Sequence, residues 1–105
     1  MRNSINLIFL FFLSFSQLQL FSQNLDHLII DPGFKISIYS KNLDAPRQMA
    51  ESKEGTIFVG EKGGQIIALR DTDNNGQADF KRIIVKNLTL STGVSIYNGD
   101  LYFSE

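Results

Sequence analysis

The sequence contains a repeat. Residues 41-KNLDAPRQMAESKEGTIFVGE-61 align with 86-KNLTLSTGVSIYNGDLYFSE-105, and Lys-Asn-Leu opens both copies. A turn glycine precedes a strand pattern in each, at Gly55 and Gly99. Ile57-Phe58-Val59 then meets Leu101-Tyr102-Phe103, and Glu61 meets Glu105. The spacing is about 45 residues, with one deletion in the second copy, inside the roughly 40 to 50 residues of a four-stranded β-propeller blade. A single unit of this kind cannot bury both sheet faces, and arrays usually need about three units for stability. The period therefore sets the expectation: an all-β chain forming the N-terminal portion of a longer propeller. Blade 1 covers about 34–85, and residues 86–105 start the next.

The local patterns agree with strands. Phe34, Ile36 and Ile38 alternate with Lys35, Ser37 and Tyr39, which predicts a strand over 34–39. Thr56 to Val59 is β-branched and aromatic. Gly63-Gly64 signals a hairpin turn before Gln65 to Leu69. Phe80 to Val85 reads as another strand, and Val94 to Tyr97 and Leu101 to Phe103 flank the two-residue turn Asn98-Gly99. No helix is expected beyond the first residues.

The N-terminus has a different character. Met1-Arg2-Asn3 places one positive charge before the apolar run 5-INLIFLFFLSFS-16. That run has the length of a signal-peptide core and is short of the roughly 20 residues of a membrane span. The segment turns polar at Gln17, Gln19, Ser22 and Gln23, so cleavage is expected near Ser22 or Gln23, although Leu20 suits the small-residue rule poorly. The alternative is an uncleaved anchor, extended by Leu18, Leu20 and Phe21. Residues 1–23 are thus assigned to a signal peptide and 24–33 to a lead-in. Export to the periplasm or the medium follows, with no stable membrane span after cleavage.

Composition excludes several classes. A net charge of -1 leaves no basic surplus for nucleic acid. Cysteine is absent, which removes disulfides, thiolate zinc sites, thiol nucleophiles and a lipidated cysteine. His27 is the only histidine, so a two-histidine metal site cannot form within the chain.

Four further features carry a resemblance: Pro32-Gly33-Phe34 before the first strand pattern, Ala45-Pro46-Arg47, the run Gly55 to Gly60, and the connection from Ala68-Leu69-Arg70-Asp71 to Asp79. In combination they resemble the first blade of the glucose/sorbosone dehydrogenase family, closest to its sorbosone branch. The resemblance implies a six-bladed propeller. It also implies oxidation of a sugar or aldose by hydride transfer to pyrroloquinoline quinone (PQQ), with Ca2+ assisting and a redox acceptor such as a cytochrome downstream. The family's base is a histidine on a later blade, and His27 matches no motif position. No catalytic residue is therefore assigned here, and the chain alone is expected to be inactive.

Three groups of residues could carry chemistry. In 71-DTDNNGQAD-79, Asp71, Asp73, Asn75 and Asp79 place oxygens around the bend at Gly76. An EF-hand is excluded, because Arg82 stands where the bidentate Glu should be. The run is either a calcium site or an acidic turn whose side chains cap their own backbone. Arg47 follows Pro46 at the entry to the innermost strand, and a guanidinium suits one carboxylate of the quinone. The alternative is an arginine paired with Glu61 or Glu105. Ser91 and Thr92 occupy the corresponding loop of the second copy, where they either meet substrate hydroxyls or satisfy local backbone.

Glu61 and Glu105 end equivalent strands, so repeat equivalence accounts for them better than acid/base work. Asn87-Leu88-Thr89 is a glycosylation sequon, meaningful only in a eukaryotic secretory host. A competing reading of the whole is a propeller without quinone chemistry that binds protein or carbohydrate, since one fold hosts many functions.

Overall fold

The structure is a computed structural model that describes residues 24–105. The assigned signal peptide lies outside the described residues. The chain divides into two compact units, one running to Phe34 and one from Lys35 to Glu105. The described part of the first unit holds two turns, closed by Leu28 N–H donating to the Leu25 carbonyl and Phe34 N–H to that of Asp31.

The second unit is all-β, with six strands and no helix. They are β1 (Pro46–Glu51), β2 (Ile57–Glu61), β3 (Gln65–Arg70), β4 (Phe80–Val85), β5 (Val94–Tyr97) and β6 (Asp100–Phe103). β1 to β4 form one antiparallel sheet in sequence order, and β5 and β6 form a separate hairpin. No helix among the described residues is long and apolar enough to cross a membrane.

Turn chemistry explains the connections. Asn98 and Gly99 both have positive φ, 50° and 83°, as the primed turn of a two-residue hairpin requires. The β2–β3 loop is Lys62-Gly63-Gly64, with Gly64 left-handed at φ 85° and its N–H bonded to the Glu61 carbonyl. The β1–β2 loop is longer, and Ser52 ties it through its carbonyl to Gly55 N–H and through Oγ to Thr56 N–H.

The strand expected over 34–39 does not form. Those residues join neither sheet, and Phe34 is 77% exposed. Alternation licenses a half-buried strand only where a ladder is free to receive it. The end of this segment is instead held as a loop, with the Tyr39 carbonyl accepting from Ala78 N–H at 2.8 Å.

The core lies on one face of the sheet. Val59, Ile67 and Leu69 form it, and Tyr39, Leu43, Ile57 and Ala78 pack against them. Burying each large aliphatic side chain contributes about 1.5–3 kcal/mol. β3 is buried on both faces, because Ile66 and Ala68 are covered as fully as Ile67 and Leu69. On that second face β5 lies against β1 and β2. Gly60 makes the approach possible, since a Cβ there would sit 2.8 Å from the Ser91 carbonyl oxygen and 3.0 Å from Val94 Cγ2.

Candidate functional site

The acidic run folds as a turn that satisfies itself. Asp71 accepts the N–H of Asn75 on Oδ1 at 3.2 Å and that of Gly76 on Oδ2 at 2.7 Å. Asn75 Oδ1 accepts Gln77 N–H at 2.8 Å, and Asn75 Nδ2 donates to Asp73. Asp79 closes the turn by accepting from both the N–H and the hydroxyl of Thr72. Asn74 and Gly76 take the left-handed backbone that the bend needs, at φ 59° and 85°. The geometry is that of the capped acidic connection. Among the described residues, no group of three or more His, Asp or Glu side chains is placed to hold a metal.

The same bonds shift the two end carboxylates. Desolvation pushes the Asp71 carboxyl up, but the Gly76 and Asn75 amides outweigh it and hold the group below its ordinary value of 3.8. The Thr72 hydroxyl, then its amide, lowers Asp79 in the same way. A carboxylate lowered by folding stabilises the fold above its unfolded pKa, and that contribution fades as pH falls through the folded value. The Gly76 and Thr72 amide resonances are therefore expected to titrate with midpoints below 3.8, and to stay still from about pH 5 to 8. Asp71→Asn should remove the Gly76 transition alone.

Arg47 is exposed, near the start of β1. The ladder with β2 slips there: Pro46 lies opposite Glu61 and Met49 opposite Val59, with an irregularity between. Arg47 and Gln48 occupy that bulge. Just before it, Ala45 is left-handed at φ 47°, a conformation that costs a non-glycine residue about 1 kcal/mol or more. Lys62 N–H holds the Ala45 carbonyl at 3.1 Å. Strain and a bulge beside one exposed guanidinium form the most site-like backbone feature of the unit.

The expected pairing of Arg47 with Glu61 is not the arrangement found. Glu61 is buried, and its oxygens accept Asp44 N–H at 2.8 Å and Gln65 Nε2 at 2.6 Å. It anchors the loop that enters β1 to the strand pair beside it. Glu105, at the matching position, is exposed.

Ser91 and Thr92 part company. Thr92 is half-buried, whereas Ser91 is fully buried beside Gly60 and its Oγ has no hydrogen-bond partner. A buried hydroxyl left unpaired costs about 1–3 kcal/mol. Ser91→Ala is accordingly expected to raise stability by about 1 kcal/mol, read as a higher urea midpoint. A loss of similar size would show that the hydroxyl is satisfied in solution.

Gln48 was not marked by the sequence reading. Its Oε1 accepts Val94 N–H at 3.2 Å, bridging β1 to β5. With Gly93, Val94, Ser95, Tyr102, Phe103 and Ser104 it lines an open cleft of about 510 Å³. Nothing in the local sequence pattern marks it, because the contact joins segments 46 residues apart. Arg47 and Gln48 are chain neighbours in the bulge opposite the Gly60–Glu61 end of β2, whereas the acidic turn joins β3 to β4 at the other end of the sheet.

No family model matches the sequence. No curated protein matches it. No solved structure matches the fold.

Proposed function

We propose that this chain is the first blade and the start of the second in an exported six-bladed propeller of the glucose/sorbosone dehydrogenase type. The observation that carries the reading is the arrangement of strands. A four-stranded antiparallel meander is followed by a hairpin whose pairing repeats that of β1 with β2. Asn42 and Asn87, in the two Lys-Asn-Leu motifs, are both left-handed, at φ 58° and 65°. Export rests on the N-terminal sequence pattern alone.

The described residues do not fit a complete quinone and calcium site. Among the candidate site residues Arg47 alone offers a guanidinium to the quinone's three carboxylates, and the acidic turn spends its oxygens on its own amides and hydroxyl. No step of sugar oxidation is assigned to this chain. Its part in the proposed enzyme is to present Arg47 at the bulged entry of β1 and to supply the sheet that holds it there.

Two experiments test the reading. Coding DNA beyond the Glu105 codon should encode further units of this period, with a histidine on a loop facing the channel. A stop codon directly after Glu105 would overturn it. In an NMR titration with PQQ, the Arg47 side-chain resonance should move, and Arg47→Ala should weaken binding by about tenfold or more. An unmoved Arg47 would sink its cofactor role.

One observation favours the second reading, a propeller that binds protein or carbohydrate without redox chemistry. Tyr97 and Tyr102 share a face of the β5–β6 hairpin, 66% and 54% exposed. Further units without a histidine, together with saturable binding of a neutral oligosaccharide, would select it.

A further inference from the structure

Asparagine followed by glycine occurs twice in the chain, at Asn75-Gly76 in the acidic turn and at Asn98-Gly99 between β5 and β6. Asparagine is among the thermolabile residues. The amide nitrogen of the next residue attacks its side-chain carbonyl, and a glycine there puts no Cβ in the way of the five-membered ring. The fold treats the two pairs differently.

At Asn75-Gly76 every group that the reaction needs is held. Gly76 N–H, whose nitrogen is the nucleophile, donates to Asp71 Oδ2 at 2.7 Å. Asn75 Oδ1 accepts Gln77 N–H at 2.8 Å, and Nδ2 donates to Asp73 at 3.2 Å, so the carbonyl under attack is fixed in place. The Asp71 carboxylate also opposes loss of the Gly76 amide proton, which would set a second negative charge beside its own. At Asn98-Gly99 these restraints are missing. Both residues are exposed, and among the described residues neither the Asn98 side chain nor the Gly99 N–H has a hydrogen-bond partner. Apart from its chain neighbours, nothing lies within 4 Å of where a Cβ on Gly99 would stand.

We propose that Asn98 is a site of spontaneous covalent modification, deamidating through a succinimide in the folded chain while Asn75 is protected. The Gly99 nitrogen gives up its proton and bonds to Asn98 Cγ, the Cγ–Nδ2 bond breaks, and ammonia leaves. Water then opens the ring. Attack at the side-chain carbonyl leaves aspartate at position 98. Attack at the main-chain carbonyl leaves isoaspartate, with the chain routed through Cβ and Cγ. One water is consumed and one ammonia released, with no oxidation or reduction.

The isoaspartyl product lengthens the backbone of a two-residue connection whose primed turn, at φ 50° and 83°, suits that length. The pairing of Tyr97 with Asp100 is the first to loosen. Either product also adds a negative charge beside Asp100. The proposal is independent of the propeller reading and of the quinone.

The test is incubation of the full chain at 37 °C and mildly alkaline pH, followed by peptide mapping by mass spectrometry. Isoaspartate is detected by an isoaspartyl methyltransferase with labelled S-adenosylmethionine. Conversion at Asn98 should outpace that at Asn75 by about tenfold or more, the effect of losing a charge-assisted hydrogen bond. In urea the two sites should convert at similar rates. Asp71→Ala should accelerate Asn75 and leave Asn98 unchanged. Equal rates in the folded chain, faster conversion at Asn75, or an Asn75 rate indifferent to Asp71→Ala would overturn the proposal. An isoaspartyl chain whose Tyr97 and Asp100 amide resonances stay unmoved would overturn its structural consequence.

Discussion

Gly64→Ala is expected to destabilise the second unit by about 4 kcal/mol, among the largest effects of any single substitution in it. Two causes add. The residue is left-handed at φ 85°, which costs a residue with a Cβ about 1–2 kcal/mol. The added Cβ would also fall 2.0 Å from the Leu88 carbonyl oxygen, a backbone atom that cannot swing aside. The segment that would have to move is the second Lys-Asn-Leu motif, held there by Leu88 N–H donating to the Gly64 carbonyl at 2.9 Å. Gly99→Ala separates the causes. It has a φ of 83° and open space around it, so only the backbone term applies, about 1 kcal/mol. Urea unfolding of the two variants should therefore differ by about 3 kcal/mol. Equal midpoints would show that the motif does not rest on Gly64 in solution.

The second large effect belongs to Ile67. It is buried at the centre of β3, packed with Val59 and Leu69. Ile67→Ala removes three carbons and leaves a cavity that paired strands on both sides cannot close, a loss of about 4 kcal/mol. Ile83, its partner across the ladder, is 50% exposed, and Ile83→Ala should cost about 1 kcal/mol. Domains of this size have only about 5–15 kcal/mol of net stability, so Ile67→Ala brings the unit close to unfolding at 37 °C. Thermal melts by circular dichroism would read the contrast directly.

Much of the local structure was legible in the sequence, for specific reasons. Asn98-Gly99 and the Gly63-Gly64 pair specify turns through backbone conformations that few other residues adopt. The apolar runs of β2 and β3 match strands buried on both faces. The alternation over 34–39 misled, because the period of a segment says nothing about whether a partner edge exists. The bridge from Gln48 to Val94 and the orphaned Ser91 hydroxyl were invisible for another reason. Both arise where β5 folds back onto β1 and β2, and the packing of distant segments leaves no periodic trace. The spacing of the acidic run leaves two alternatives open, and the hydrogen bonds by which its side chains cap their own backbone are a detail that spacing does not carry.

The order of the large sheet has a consequence for how the chain acquires it. Each strand from β2 to β4 pairs with its immediate predecessor in sequence. Such a meander can zip up hairpin by hairpin, because each pairing closes only the short loop between consecutive strands. Other bonds reach further, among them Lys81 Nζ to the Asn42 carbonyl, Ala78 N–H to that of Tyr39, Leu88 N–H to that of Gly64, and Val94 N–H to Gln48. A chain emerging residue by residue, from a ribosome or through a translocation pore, could complete β1 to β4 before β5 appeared. The later segment would then dock on a sheet already formed, its Lys-Asn-Leu motif landing at Gly64 and its hairpin at Gly60.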